Sequence, residues 1–445
     1  MSSSVIEMAE KDQTPKLSRS LSWNTTGLSP INNTNVPPSP KSLQARKKAV
    51  QLILLFGLVS LFGDIVYEGA RSVNGPYLKM LGANAVVVGF IAGFGEFIGY
   101  AVRLLSGYFA DRTRGYWFFV IAGYGLLISV PLLSLAGIWQ VAALFIITER
   151  LGKALRAPAR DTIMSQAAKQ VGTGFGFALA EVMDQIGALA GPLIIAGALA
   201  LASRAGAGVK QYQVSYAIFW VPFILVMACV VFARFKVPAP ETLESPDGQL
   251  MQDAPLSKVF WLYVIFTFVS TAGFVNFMLM GYHFKVRGIL SDAQIPLYYA
   301  VAMAVDGAAA LIIGKTYDRL KEIRRNEKAG LSALIAIPVL TAPLPFLAFS
   351  RNLSAIIVSV VVWGIIMGIH ETIMRSAIAD LVALRKRGTG YGIFNTAYGL
   401  AMLCGGVAMG FLYDRSIPAL CAAVFVCEAL AIIAFLFMQK EACAA

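Results

Sequence analysis

The chain has 445 residues, of which 58% are hydrophobic and only 14% charged, and its mean hydropathy is +0.69. So few charges cannot cover the water-facing surface of two or three soluble domains, so most apolar residues must face lipid or other helices. The net charge of +12 would suit nucleic acid, but the charges lie between apolar segments and read better as membrane sidedness; no nucleic-acid partner is expected.

Residues 1–48 are rich in Ser, Asn and Pro and end in a basic cluster, the composition of a disordered tail. They lack the apolar run of a cleaved leader, so the tail is expected to stay attached. From Ala49 onward, apolar runs of roughly twenty residues recur, the length that crosses a bilayer core. They predict twelve helices over 49–71, 84–107, 116–136, 139–166, 172–201, 213–235, 258–283, 291–314, 328–349, 352–383, 388–412 and 415–438. The Pro- and acid-containing stretch 236–257 divides them into bundles at 49–235 and 258–438, and 439–445 is a short tail. Lys and Arg concentrate in the tail, after spans two, four, six, eight and ten. That bias places both termini in the cytoplasm and requires an even number of spans. Cys229, Cys404, Cys421, Cys427 and Cys443 show no paired spacing and read as small apolar residues.

The halves echo each other. Gly107-Tyr-Phe-Ala-Asp111-Arg112 after span two returns 207 residues later as Gly314-Lys-Thr-Tyr-Asp318-Arg319 after span eight. Arg156…Asp161 near the end of span four is matched by Arg375…Asp380 in span ten, and Gly172-Thr-Gly-Phe-Gly176 opening span five by Gly388-Thr-Gly-Tyr-Gly392 opening span eleven. Three echoes at similar offsets argue for duplication of a six-helix unit.

In these motifs the chain resembles the major facilitator superfamily of secondary transporters, closest in motif to its proton-coupled efflux members. The resemblance implies an all-α membrane fold of twelve transmembrane helices in two pseudo-symmetric bundles, with a solute site between them near mid-membrane. It implies that Gly107, Asp111, Arg112, Arg156, Asp161, Gly314, Asp318, Arg319 and Asp380 form a conformational latch; a polar turn is the plainer reading of the same loop. Gly187-x-x-x-Gly191-Pro192 in span five is similar to the family's antiporter element, or is a helix-packing face alone. Arg150 falls where the family's span-four arginine is found.

Ionisable groups in hydrocarbon are costly, so each needs a partner, water or a function. Asp64, Glu68 and Arg71 share one face of span one. Glu96 and Arg103 lie seven apart in span two. Span four carries Glu149, Arg150, Lys153, Arg156 and Arg160, and span five Glu181 and Asp184. Either a static network fastens the bundle, or carboxylates exchange between cations and protons as the protein changes state. In the second half, Asp306 stands alone in span eight, and His370, Glu371 and Arg375 follow one another in span ten. His370 is a proton relay or a satisfied core histidine, and His283 is expected at the interface. Asn276, Tyr298, Tyr299, Asn395 and Tyr398 suit the wall of an organic-solute site.

These readings converge on a proton-driven transporter of a small organic solute, with export favoured, working as a monomer in the plasma (inner) membrane. An importer of organic anions on the span-four cations is the alternative, and a non-transporting sensor is the rival class. With two histidines, no phosphate loop and no ligand cluster, no enzyme, metal or cofactor is expected.

Overall fold

Hydrocarbon offers the backbone no partner but itself, so each apolar run closes its hydrogen bonds internally as helix. The structure, a computed structural model, describes residues 40–169, 173–203, 208–238, 256–324, 327–382 and 386–444. The expected tail up to residue 39, the linker between 239 and 255, and Gly172 lie outside them. Twelve long helical elements follow in chain order: α1 Pro40–Arg71, α2 Ala85–Thr113, α3 Tyr116–Leu135, α4 Trp139–Lys169, α5 Thr173–Ala202, α6 Val209–Lys236, α7 Lys258–Val286, α8 Gln294–Arg324, α9 Ala329–Ala348, α10 Leu353–Leu381, α11 Arg387–Arg415 and α12 Ile417–Ala444. Among the described residues, eleven of these are long and apolar enough to cross a membrane. The other, α4, is 31 residues long and packs against α2 and α3, its charges compensated there instead of being absent. Phe118 at 71% and Phe235 at 78% exposure mark the lipid-facing surface.

Several boundaries differ from the hydropathy reading. The first helix starts at Pro40, where a proline costs no hydrogen bond, and the last continues through the expected 439–445 tail to Ala444. α2 continues past residue 107 to Thr113 and stops at Arg114, whose φ of 51° is left-handed. Gly107, Asp111 and Arg112 are thus helical, as are Gly314, Asp318 and Arg319 in α8. Charged residues at a helix end face water and leave the hydropathy window before the helix ends.

Local chemistry sets the interruptions. Asn84 caps α2 by accepting from the Val87 amide at 2.9 Å, and Asn352 caps α10 from Ser354 at 2.9 Å. α7 breaks after Gly273 and restarts at Phe277, where the Asn276 side chain accepts from the Leu279 amide at 2.9 Å. A short helix, Asn74–Met80, follows α1.

Two crossings of long helices join the halves, α2 with α11 and α5 with α8, and the short helix Asn74–Met80 packs on the outer segment of α7. Each of the two crossings joins the second helix of one half to the fifth of the other, as a two-fold relation requires. Lipid supplies no hydrophobic drive between helices, so close backbone approach must hold them. A Cβ on Gly89 would lie 2.1 Å from the Gly406 carbonyl oxygen, and one on Gly75 would lie 2.0 Å from that of Met278. Both contacts lie at the end of the bundle away from residue 49, the distal end. Tyr212 donates to Asp292 at 2.7 Å and the Val86 amide to Asp414 at 3.3 Å across the same end. The distal end is therefore closed. Substituting Gly89→Val should force the crossing apart, costing about 1–3 kcal/mol by overpacking; a lowered melting temperature of the detergent-purified protein checks this.

Candidate functional site

Charges buried on α1, α2 and α4 gather around one tyrosine. Arg150 and, at 3.2 Å, Arg71 both donate to the Tyr67 hydroxyl, while the Lys153 ammonium lies 3.9 Å from the centre of its ring. Such a ring face attracts cations. Glu96 bridges the two guanidinium groups at 3.2 Å each. Glu149 continues the chain, 3.4 Å from Arg150 and 3.9 Å from Arg156, whose guanidinium lies 4.9 Å from the Tyr124 ring centre on α3. At the other end Glu68 lies 3.6 Å from Arg71 and accepts from the Tyr299 hydroxyl of α8 at 2.5 Å. The network thus runs from α3 through α4, α2 and α1 into the second half. Its charges alternate, which makes their burial affordable.

Below this network, towards the end where α1 begins, lies a cavity of about 560 Å³ between the halves. Asp64, Glu68, Arg71, Arg103, Lys153, Glu181, Asp184, Asp306 and Glu371 all line it. Arg156, Arg160 and Asp161 do so as well, and Glu181, Glu371 and Asp161 are exposed there. A narrow extension of about 60 Å³ reaches Glu96, Arg150 and His370. Among the described residues, seven carboxylates and five cationic side chains face the main cavity. Asp306 is 4% exposed and its Oδ1 has no hydrogen-bond partner; Oδ1 of Asp184 is likewise unpartnered. The walls include Met303, Met367 and Leu311, so charge and apolar surface alternate within reach of one organic solute.

Other expected residues take different places. Glu149 does not line the cavity; it stands behind α4, holding the two arginines. The His370 Nδ1 pairs with the Tyr398 hydroxyl at 3.0 Å while its Nε2 is unpartnered. The Arg375 side chain lies outside the described residues. His283, expected at the interface, is 1% exposed within the protein and pairs with Tyr413 at 2.8 Å, because the rings of Phe349 and Tyr413 cover it. Asn276 spends its side chain on the α7 cap.

The motif residues divide similarly. Asp111 accepts from the Tyr116 hydroxyl at 3.2 Å, Arg112 donates to Tyr108 at 2.7 Å, and a Cβ on Gly107 would touch Pro158 at 3.4 Å. Asp161 pairs with its neighbour Arg160 at 3.0 Å. In the second half Asp380 is clamped from α8 by Tyr317 at 2.7 Å and Lys321 at 2.9 Å, while Asp318 and Arg319 are exposed. Gly187 and Gly191 seat α5 on α1, where a Cβ on either would lie 2.5 Å from a carbonyl oxygen; Pro192 is buried beside them.

Tyr67, Tyr124, Tyr212, Asp292 and Asp414 were missed as site or gate residues. Tyr67 stands four residues before Arg71, a spacing that brings helical side chains together. Asp292 stands at the start of the expected span eight and Asp414 between spans eleven and twelve, and no motif singles out either.

A twelve-helix bundle folded as two exchange-related halves around a charged central cavity defines a membrane transporter. The Major Facilitator Superfamily model matches residues 56–406, and the chain belongs to that superfamily. It is 40% identical over 391 residues to an uncharacterized protein of Mycobacterium tuberculosis, covering 86% of this chain and 92% of that one. An uncharacterized MFS-type transporter of Methanocaldococcus jannaschii is 26% identical over 373 residues, covering 82% and 89%. The crystal structure of the nucleoside transporter NupG shares the fold, with a TM-score of 0.65 at 13% identity over 87% of this chain and 98% of that one.

Replacing Glu96 by Gln would take from buried Arg150 and half-buried Arg71 the counter-ion they share while leaving Glu149 and Glu68 beside them, a loss of about 3 kcal/mol. Glu371→Gln, at an exposed cavity position, should cost far less. Thermal unfolding of the two purified variants beside the parent decides between a fastening network and an idle one.

Proposed function

We propose that this protein is a proton-coupled secondary transporter that carries a small organic solute by alternating access, with export as the net direction. The observation that carries the reading is Asp306: a buried carboxylate on the cavity wall with an unpartnered oxygen. A carboxylate without a fixed cation in a low-dielectric site takes up a proton or a cationic ligand readily. Glu371 and Asp184 line the same cavity, so a proton and a solute would meet there. The distal ties support a state open towards the end where α1 begins, which in a plasma membrane the Lys and Arg bias would turn to the cytoplasm. Tyr212–Asp292, Val86–Asp414 and Glu68–Tyr299 would part when the halves rock. We place no further subunit in the cycle. The Gly187/Gly191 face supports export only through its likeness to the antiporter element, since its visible contact is packing on α1.

A second reading, import of an organic anion, draws on Lys153, which lines the cavity with its ammonium held over Tyr67. In that case Lys153→Ala would weaken solute binding selectively.

The test begins with melting temperatures of the purified protein against sugars, organic anions, lipophilic cations and chelates, because a ligand of the folded state raises the midpoint. The stabilising solute is then added to proteoliposomes containing a pH dye. Asp306→Asn should retain stabilisation by the solute but lose solute-driven proton movement. Transport by the parent that ignores both pH gradient and membrane potential would remove the proton from the cycle.

A further inference from the structure

Glu428 on α12 lies outside the cavity and is fully buried. One carboxyl oxygen accepts from the Ser270 hydroxyl of α7 at 2.9 Å, and the other, Oε1, has no partner. Oε1 rests where a side chain on Gly273 would begin: a Cβ there would be 2.2 Å away. Gly273 is the last residue of the first segment of α7, immediately before the break at Phe274–Asn276. The final carbonyls of a helix lack intrahelical partners, and that end carries partial negative charge. An ionised carboxylate would therefore be buried at the wrong pole of a helix with one of its oxygens unsatisfied. A neutral carboxyl group would keep the Ser270 bond and place no charge at that pole.

No cation compensates it among the described residues of the helices packed around it. α7 presents the hydroxyls of Thr267, Ser270 and Thr271 together with Tyr263, and α9 contains no ionisable side chain. Between its terminal arginines α11 offers Tyr391, Tyr398, Cys404, Tyr413 and Asp414, none of them a cation, and Cys427 lies beside Glu428 on α12 itself.

We propose that Glu428 is a proton-binding site separate from the central cavity, protonated while the distal end is closed, and that loss of its proton loosens the α7 break. The consequence reaches the gate because the outer segment of α7 carries the Met278 carbonyl that packs on Gly75, and Lys285, which holds Asp292 at 2.5 Å.

Dicyclohexylcarbodiimide tests protonation directly on the wild-type protein. A carboxyl oxygen bonds to its central carbon while the acid proton passes to a carbodiimide nitrogen, so an ionised carboxylate does not react. Peptide mass spectrometry should find Glu428 labelled at acid pH and severalfold less at alkaline pH. Absence of label at acid pH in folded protein overturns the site, and equal labelling at both pH values overturns the switch. Hydrogen exchange of residues 277–292 provides the second readout, comparing wild type with Glu428→Gln, which mimics the neutral group. At alkaline pH the wild type should exchange severalfold faster than the variant, and at acid pH the two should agree. Identical exchange in both at alkaline pH would also overturn the switch.

Discussion

Hydrocarbon does not solvate charge, and the arrangement of the first half follows from that constraint. Arg71 and Arg150 can be buried because Glu96 stands 3.2 Å from each and because Tyr67 offers its hydroxyl to both. Removing one member strands the rest, so the network fixes the mutual rotation of α1, α2 and α4 more firmly than apolar packing could. The orientation of the cavity wall then follows. Lys153 and Asp64 face inward because their helix faces are already set by the paired residues above them.

The two halves handle charge differently. The first holds its buried Glu68, Glu149, Arg150 and Arg156 in pairs, with Asp184 as the exception, and the Glu68–Tyr299 bond is its extension into the second. The second half places single ionisable groups, Asp306, His370 and Glu428, each with an unpartnered polar atom. A paired network resists change, whereas a lone buried group changes its occupancy with its surroundings. That asymmetry suits a protein in which one half supplies a rigid wall and the other carries the groups that respond.

Glycine is where backbone meets backbone between the halves. The same residue type serves two purposes: Gly75 and Gly89 close the distal end, while Gly273 makes room for a carboxyl group beside a helix break. The first use gives a contact that can part as a unit, since it consists of van der Waals packing with few hydrogen bonds to exchange. Asp292 and Asp414 add polar ties to it.

Sequence alone determined what is local or repeated. Apolar runs set the helices, because each must close its own hydrogen bonds in lipid, and the echoes of Asp111 in Asp318 and of Asp161 in Asp380 exposed the duplicated halves. Helical spacing brought Asp64, Glu68 and Arg71 onto one face, and all three line the cavity. Partnership was not legible, because it depends on helices far apart in the chain: Tyr299 reaches Glu68 across 231 residues. Hydropathy likewise could not separate Glu149, turned behind α4, from Lys153 one turn later in the cavity wall. Nor could it mark Glu428, an acid amid the most hydrophobic span, which acquires meaning only from the end of α7 against it. Only the packed structure decided which charges are compensated and which are left to bind something else, since compensation is a property of distance and dielectric and not of sequence spacing.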